Sequence, residues 1–191
     1  TRLGASDFIE KPVSLSKLLR TVDKSLTSKS QGRPRRTLIS SFLVPIGKSE
    51  KMCTLRDHIE RVARFDVHTL LTGEPGSGRE AFARYLASLS GYPTDKFISV
   101  MGATLNGENG RKNILGVDGE LGVVERCDGG ILFLNEISDI SEHSQRALLS
   151  VLKQKSYRPA GAKEDQPFNA RVFSSARPGF EQHGEGFNGE L

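Results

Sequence analysis

The sequence predicts an α/β fold over residues 46–191, a mostly parallel sheet covered by helices. Three observations predict it. Strand-length apolar segments alternate with amphipathic segments of helical spacing, the order that builds parallel sheets through crossover helices. Residues 131–134, Ile-Leu-Phe-Leu, form a continuous apolar run, as in a strand buried on both faces. A glycine-bearing loop, Gly73 to Gly78, lies between a predicted strand and a predicted helix.

Taken in order, the chain begins with a separate short block. Asp7-Phe8-Ile9-Glu10 reads as a strand that Lys11-Pro12 ends, since proline cannot continue a central ladder. Val13, Leu15, Leu18, Leu19, Val22 and Leu26 then fall at helical spacing and make one apolar face. Residues 27–36, TSKSQGRPRR, hold no apolar side chain and have the composition of a flexible connector. The basic cluster Arg33, Arg35 and Arg36 reads as a solvated linker and is too short to establish nucleic-acid contact.

In the second block a helix is predicted over 51–64, with Met52, Leu55, Ile59 and Val62 on one face. Residues 67–72 read as a strand and 79–90 as a helix with Phe82, Tyr85, Leu86 and Leu89 inward. Strands follow at 97–101 and 131–134, then a helix over 141–155 with Ala147, Leu148, Val151 and Leu152 inward, and a strand at 171–175. No internal repeat is visible.

Composition excludes several classes. The 191 residues carry 27 Lys and Arg against 23 Asp and Glu, a net charge of +4. With 36% apolar and 26% charged residues, this is an ordinary globular composition rather than a disordered one. No apolar run approaches the ~18 residues of a membrane span. The first residues show no basic start followed by an apolar stretch, so no signal peptide is expected. Cys53 and Cys127 are far apart, without metal-type spacing. They are expected to be reduced, part-buried thiols in a cytoplasmic protein.

The segment TLLTGEPGSGRE, residues 69–80, carries the first chemistry. Glycines let a loop wrap around phosphates with its N–H groups inward, and the following helix adds its positive end. Lysine would be expected after Gly78, but Arg79 stands there, a planar fork in place of a compact point charge. The next position, where a hydroxyl often reaches magnesium, is Glu80. A tight strand-to-helix turn without a ligand is the plainer alternative. The second chemistry sits at Asn135-Glu136, after the apolar run. An acidic pair here would hold magnesium and polarise the attacking water. Asn135 is neutral, which removes charge balance for a divalent cation, while Glu136 could still position water. The alternative is that both residues merely end a buried strand.

In combination, IGKSEKM, TLLTGEPGSGRE, CDGGILFLNEI and SQRALLSVLKQKSYRPAG resemble the bacterial enhancer-binding proteins, the AAA+ activators of sigma-54 polymerase, in the family's order. The first block resembles the end of a response-regulator receiver, with Lys11 at the lysine that contacts the phosphorylated aspartate and Phe8 at the switch aromatic. The resemblance implies an AAA+ P-loop core at 46–191, a receiver end at 1–26 and a linker at 27–45. It implies ATP or ADP, with possible magnesium, held by Ile46, Gly47, Gly73, Glu74, Pro75, Gly76, Ser77, Gly78, Arg79 and Glu80, with Asn135 at a degenerate metal position and Glu136 as the catalytic carboxylate. It also implies self-association, a sensor histidine kinase acting through the receiver, and DNA bound by a domain beyond this chain. The chain is therefore read as a fragment that stops before the helical lid and the DNA-binding domain.

The sequence departs from the family at separate points. The GAFTGA loop that contacts sigma-54 is absent: Ile114-Leu115-Gly116 leads into VDGELGVVERCDGG. This puts the polymerase contact in doubt and narrows the resemblance to the NtrX type. Met101 aligns with the asparagine that couples to the catalytic glutamate, and Asn188 with the arginine finger. Two functions remain open: a scaffold with impaired ATP hydrolysis, and an active ATP-hydrolysing activator. An unrelated phosphate-loop kinase or GTPase would need acceptor or base-recognition motifs, and none is found.

Overall fold

The computed structural model describes residues 44–191, apart from 108, 118, 119, 160, 181–186 and 190. The strand and helix expected over residues 7–26, including Phe8 and Lys11, and most of the linker lie outside the described residues.

Among the described residues, six strands and five α-helices follow in the order α1 Glu50–Val62, β1 Thr69–Thr72, α2 Arg79–Leu89, β2 Phe97–Met101, α3 Gly110–Leu115, α4 Val123–Arg126, β3 Ile131–Asn135, α5 Glu142–Gln154, β4 Ser156–Tyr157, β5 Gln166–Pro167 and β6 Arg171–Ala176. The main sheet has the order β1-β6-β3-β2, and every pairing is parallel. β4 and β5 form a separate antiparallel pair. Each parallel connection needs a crossover, which α2, α3 to α4, and α5 supply.

Alternation along β3 sorts the core into two layers. Ile131 and Phe133 pack with Phe173 of β6 against α1 and α2, through Ile59, Phe82, Tyr85 and Leu86. Leu132 and Leu134 pack with Val172 on the opposite face, against Ile114, Val124, Leu148 and Val151. Helices therefore cover both faces of a parallel sheet, as the apolar run at 131–134 requires.

Among the described residues, the largest side chain in the buried core is charged. Arg171, the first residue of β6, is 2% exposed. Its Nε donates to Val67 O at 2.8 Å, Nη1 to Ser90 Oγ at 2.9 Å and Nη2 to Val62 O at 3.3 Å. Val62 ends α1 and Ser90 caps α2, so the cation meets the partial negative ends of two helices. Its guanidinium carbon also lies 4.9 Å from the Phe173 ring centre. Burial lowers its pKa from the usual arginine value, against the opposing pull of Asp66.

Several expectations are corrected. β1 begins at Thr69, and Val67 is half exposed, because the Val67 carbonyl serves Arg171. Leu55 is 38% exposed. α1 is rolled so that Arg56 faces the entering chain, donating to Pro45 O and Gly47 O. Cys53 is exposed, and Cys127 is fully buried with its thiol pushed up to about 12 by burial. Among the described residues no helix is long and apolar enough to cross a membrane.

Candidate functional site

In a parallel sheet every strand ends on the same edge, and ligands collect there. Here that edge brings together the loop after β1, Met101 at the end of β2, Asn135 and Glu136 at the end of β3, and Ser175 near the end of β6.

The loop starts at Gly73, whose N–H donates to Ala176 O at 3.2 Å and ties it to β6. A turn follows, with Ser77 N–H on Glu74 O at 3.1 Å. Glu74, Pro75, Gly76 and Ser77 are exposed. Gly78 caps α2 at φ +86°, a left-handed conformation that glycine adopts without penalty. The loop thus sets the head of an eleven-residue helix, with its positive end, at this edge. These residues fit phosphate oxygens.

Arg79, the first residue of α2, crosses this place. Its Cγ and Cδ lie 3.5 and 3.6 Å from where a Cβ on Gly73 would sit. Its guanidinium forms a two-pronged ion pair with Glu136: Nη1 donates to Oε2 at 3.2 Å, and Nη2 donates to Oε1. The two side chains are only 10% and 14% exposed. Glu80 turns away and pairs with Arg84 at 2.7 Å.

Glu136 is held by its backbone as well. It adopts φ +54°, ψ +66°, a left-handed conformation that costs a non-glycine residue about 1–3 kcal/mol. Its N–H donates to Ser175 Oγ at 3.1 Å, and its carbonyl accepts from Asp139 N at 3.0 Å. Gly102 lies against that carbonyl; a Cβ there would come 2.1 Å from Glu136 O, so only glycine fits.

Asn135 is occupied on both sides. Its Oδ1 accepts the Ser175 hydroxyl at 2.7 Å, and its Nδ2 donates to Met101 Sδ at 3.3 Å. Met101 is the strand partner of Asn135, so a weak sulfur acceptor stands where the resemblance places a coupling asparagine. Ser175 is fully buried and serves both Asn135 and Glu136. Sequence reasoning missed it; two serines in an otherwise apolar strand were the available signal.

Arg79, Asn135 and Glu136 therefore converge. Ile46 is 96% exposed, and Gly47 sits at the approach to α1, its carbonyl bound by Arg56 at 2.7 Å. Asn188 lies on α5, its N–H donating to Gln145 Oε1 at 2.7 Å.

The segment between α3 and α4 is short. Between α3 and α4, Val117 and Glu120 exchange two backbone hydrogen bonds, at 3.1 and 2.8 Å.

A parallel sheet with helices on both faces and a glycine loop feeding a helix give this region a P-loop α/β fold of the AAA+ type. The Sigma-54 interaction domain family matches residues 45–185, and the chain belongs to that family. It is 30% identical over 180 residues to the nitrogen assimilation regulatory protein NtrX of Azorhizobium caulinodans, covering 90% of this chain and 40% of the relative. It is 28% identical over 184 residues to the transcriptional regulatory protein GlrR of Escherichia coli, covering 92% and 40%. The chain thus spans about two-fifths of the length of these curated relatives. Among solved structures it resembles NtrX from Brucella abortus in complex with ATP, with TM-score 0.69 and 28% identity over 99% of this chain and 45% of that one. The ADP complex of the same protein gives a TM-score of 0.68.

Proposed function

We propose that this chain is part of a two-component transcription regulator whose AAA+ core binds ATP or ADP and self-associates without appreciable ATP hydrolysis. It acts as a scaffold between a receiver, addressed by a sensor histidine kinase, and a DNA-binding domain outside this chain. The Arg79–Glu136 ion pair carries this reading. A carboxylate that positions water needs a free oxygen, and here both oxygens accept from the cation of the phosphate loop. Asn135 adds no charge for a metal, and Asn188 cannot act as an arginine finger, a group worth ~10³ or more in rate. NtrX from Brucella abortus, crystallised with ATP and with ADP, supports the binding half.

The sequence carries no GAFTGA segment, which supports an output through assembly and DNA occupancy rather than through sigma-54 polymerase. The test is a steady-state phosphate-release assay. Turnover is expected at background and unchanged in Glu136→Gln. A rate well above background that Glu136→Gln abolishes would instead establish an active ATP-driven activator.

A further inference from the structure

A phosphate-bound magnesium ion needs hard oxygen donors, usually one or two carboxylates with substrate phosphates and water, in near-octahedral geometry. Three side chains occupy the sequence positions where the motif would place such donors, and each already accepts from another group. Asn135 Oδ1 accepts from Ser175, and the amide is neutral. Glu80 Oε1 is tied to Arg84. Both oxygens of Glu136 accept from Arg79. The donor set does not fit magnesium.

A different cation already occupies the bridging position. Arg79 starts at the head of α2, passes over Gly73 and ends on Glu136. A guanidinium has five N–H donors in one plane, and Glu136 engages two of them. Three remain for other acceptors. Arginine binds carboxylate and phosphate equally well through its fork, whereas the compact ammonium of lysine cannot present two such faces. A positive group joining the strand-end carboxylate to phosphate oxygens supplies the charge that a bridging metal would supply. Being covalently attached, it needs no recruitment from solution.

We infer that this loop takes a nucleoside triphosphate as the metal-free anion, with Arg79 as its built-in counter-cation. The inference rests on the nucleotide binding proposed above and concerns only the metal requirement of that site.

The experiment is a fluorescence titration of the 191-residue chain with a fluorescent, non-hydrolysable ATP analogue, in excess MgCl2 and in excess EDTA. Equal affinity, within about threefold, is expected, where tenfold would correspond to about 1.4 kcal/mol. Binding at least about tenfold tighter with magnesium overturns the inference and leaves nucleotide binding standing. Absence of binding in both conditions overturns the nucleotide reading itself. In Arg79→Gln, affinity in EDTA is expected to fall at least about tenfold. Unchanged affinity in that variant, with circular dichroism showing it folded, also overturns the role given to Arg79. The paired variant Arg79→Lys with Asn135→Asp is expected to acquire a magnesium preference, and failure to acquire one removes the assignment of metal independence to these two positions.

Discussion

Two arginines, both largely withdrawn from water, do opposite jobs. Arg171 is 2% exposed and meets no carboxylate; two carbonyls and a hydroxyl from three segments surround it. Arg79 is 10% exposed along its side chain and meets a single carboxylate at the edge of the sheet. The first ties the ends of two helices to the start of a strand, so three segments share one donor group. The second joins two groups that both border an exposed loop, so each can return to water. A cation neutralised by helix ends belongs to the architecture. A cation neutralised by one carboxylate can be exchanged for a ligand.

The largest effect expected from this contrast is on Arg171. Arg171→Met keeps the bulk and leaves three acceptors without a donor, which should cost about 3 kcal/mol or more in urea unfolding. Arg79→Ala should cost about 1 kcal/mol, because Glu136 is rehydrated at the loop. Equal losses in the two variants would erase the distinction between them. The smallest effect is on pH. His68 Nδ1 accepts the Val172 N–H at 3.1 Å, beside Arg171. Burial holds its pKa below the usual histidine value, while Asp66 pulls the other way. The unfolded chain therefore takes up the proton first. This contribution is complete above the unfolded value of about 6.5 and is lost as pH falls through the lowered folded value. In acid unfolding curves, His68→Asn should flatten that limb, and an unchanged limb would place the titration elsewhere.

Much of this was legible in the sequence. The α/β class followed from segment order, and the run at 131–134 is buried on both faces as its composition requires. Gly73, Gly78, Arg79, Asn135 and Glu136 were identified from motif spacing, and three of them meet at one edge of the sheet. What the sequence could not show was pairing. Nothing in residues 79 and 136, 57 positions apart, announces that they share an ion pair. Ser175 was hidden because a small hydroxyl in a buried strand looks like filler until its neighbours are in place. Arg171 looked like the polar start of a strand, whereas its charge lies inside. The helices α3 and α4 were too short to show a period, and Leu55 fitted the period of α1 but lost the inward position to Arg56.

The backbone of Glu136 has a consequence of its own. Glycine would hold φ +54° without strain, so a chain refined for stability alone has an easy improvement open to it at this position. Keeping a carboxylate there sacrifices stability to a task. Glu136→Gly would relax the corner and remove its carboxylate in one step.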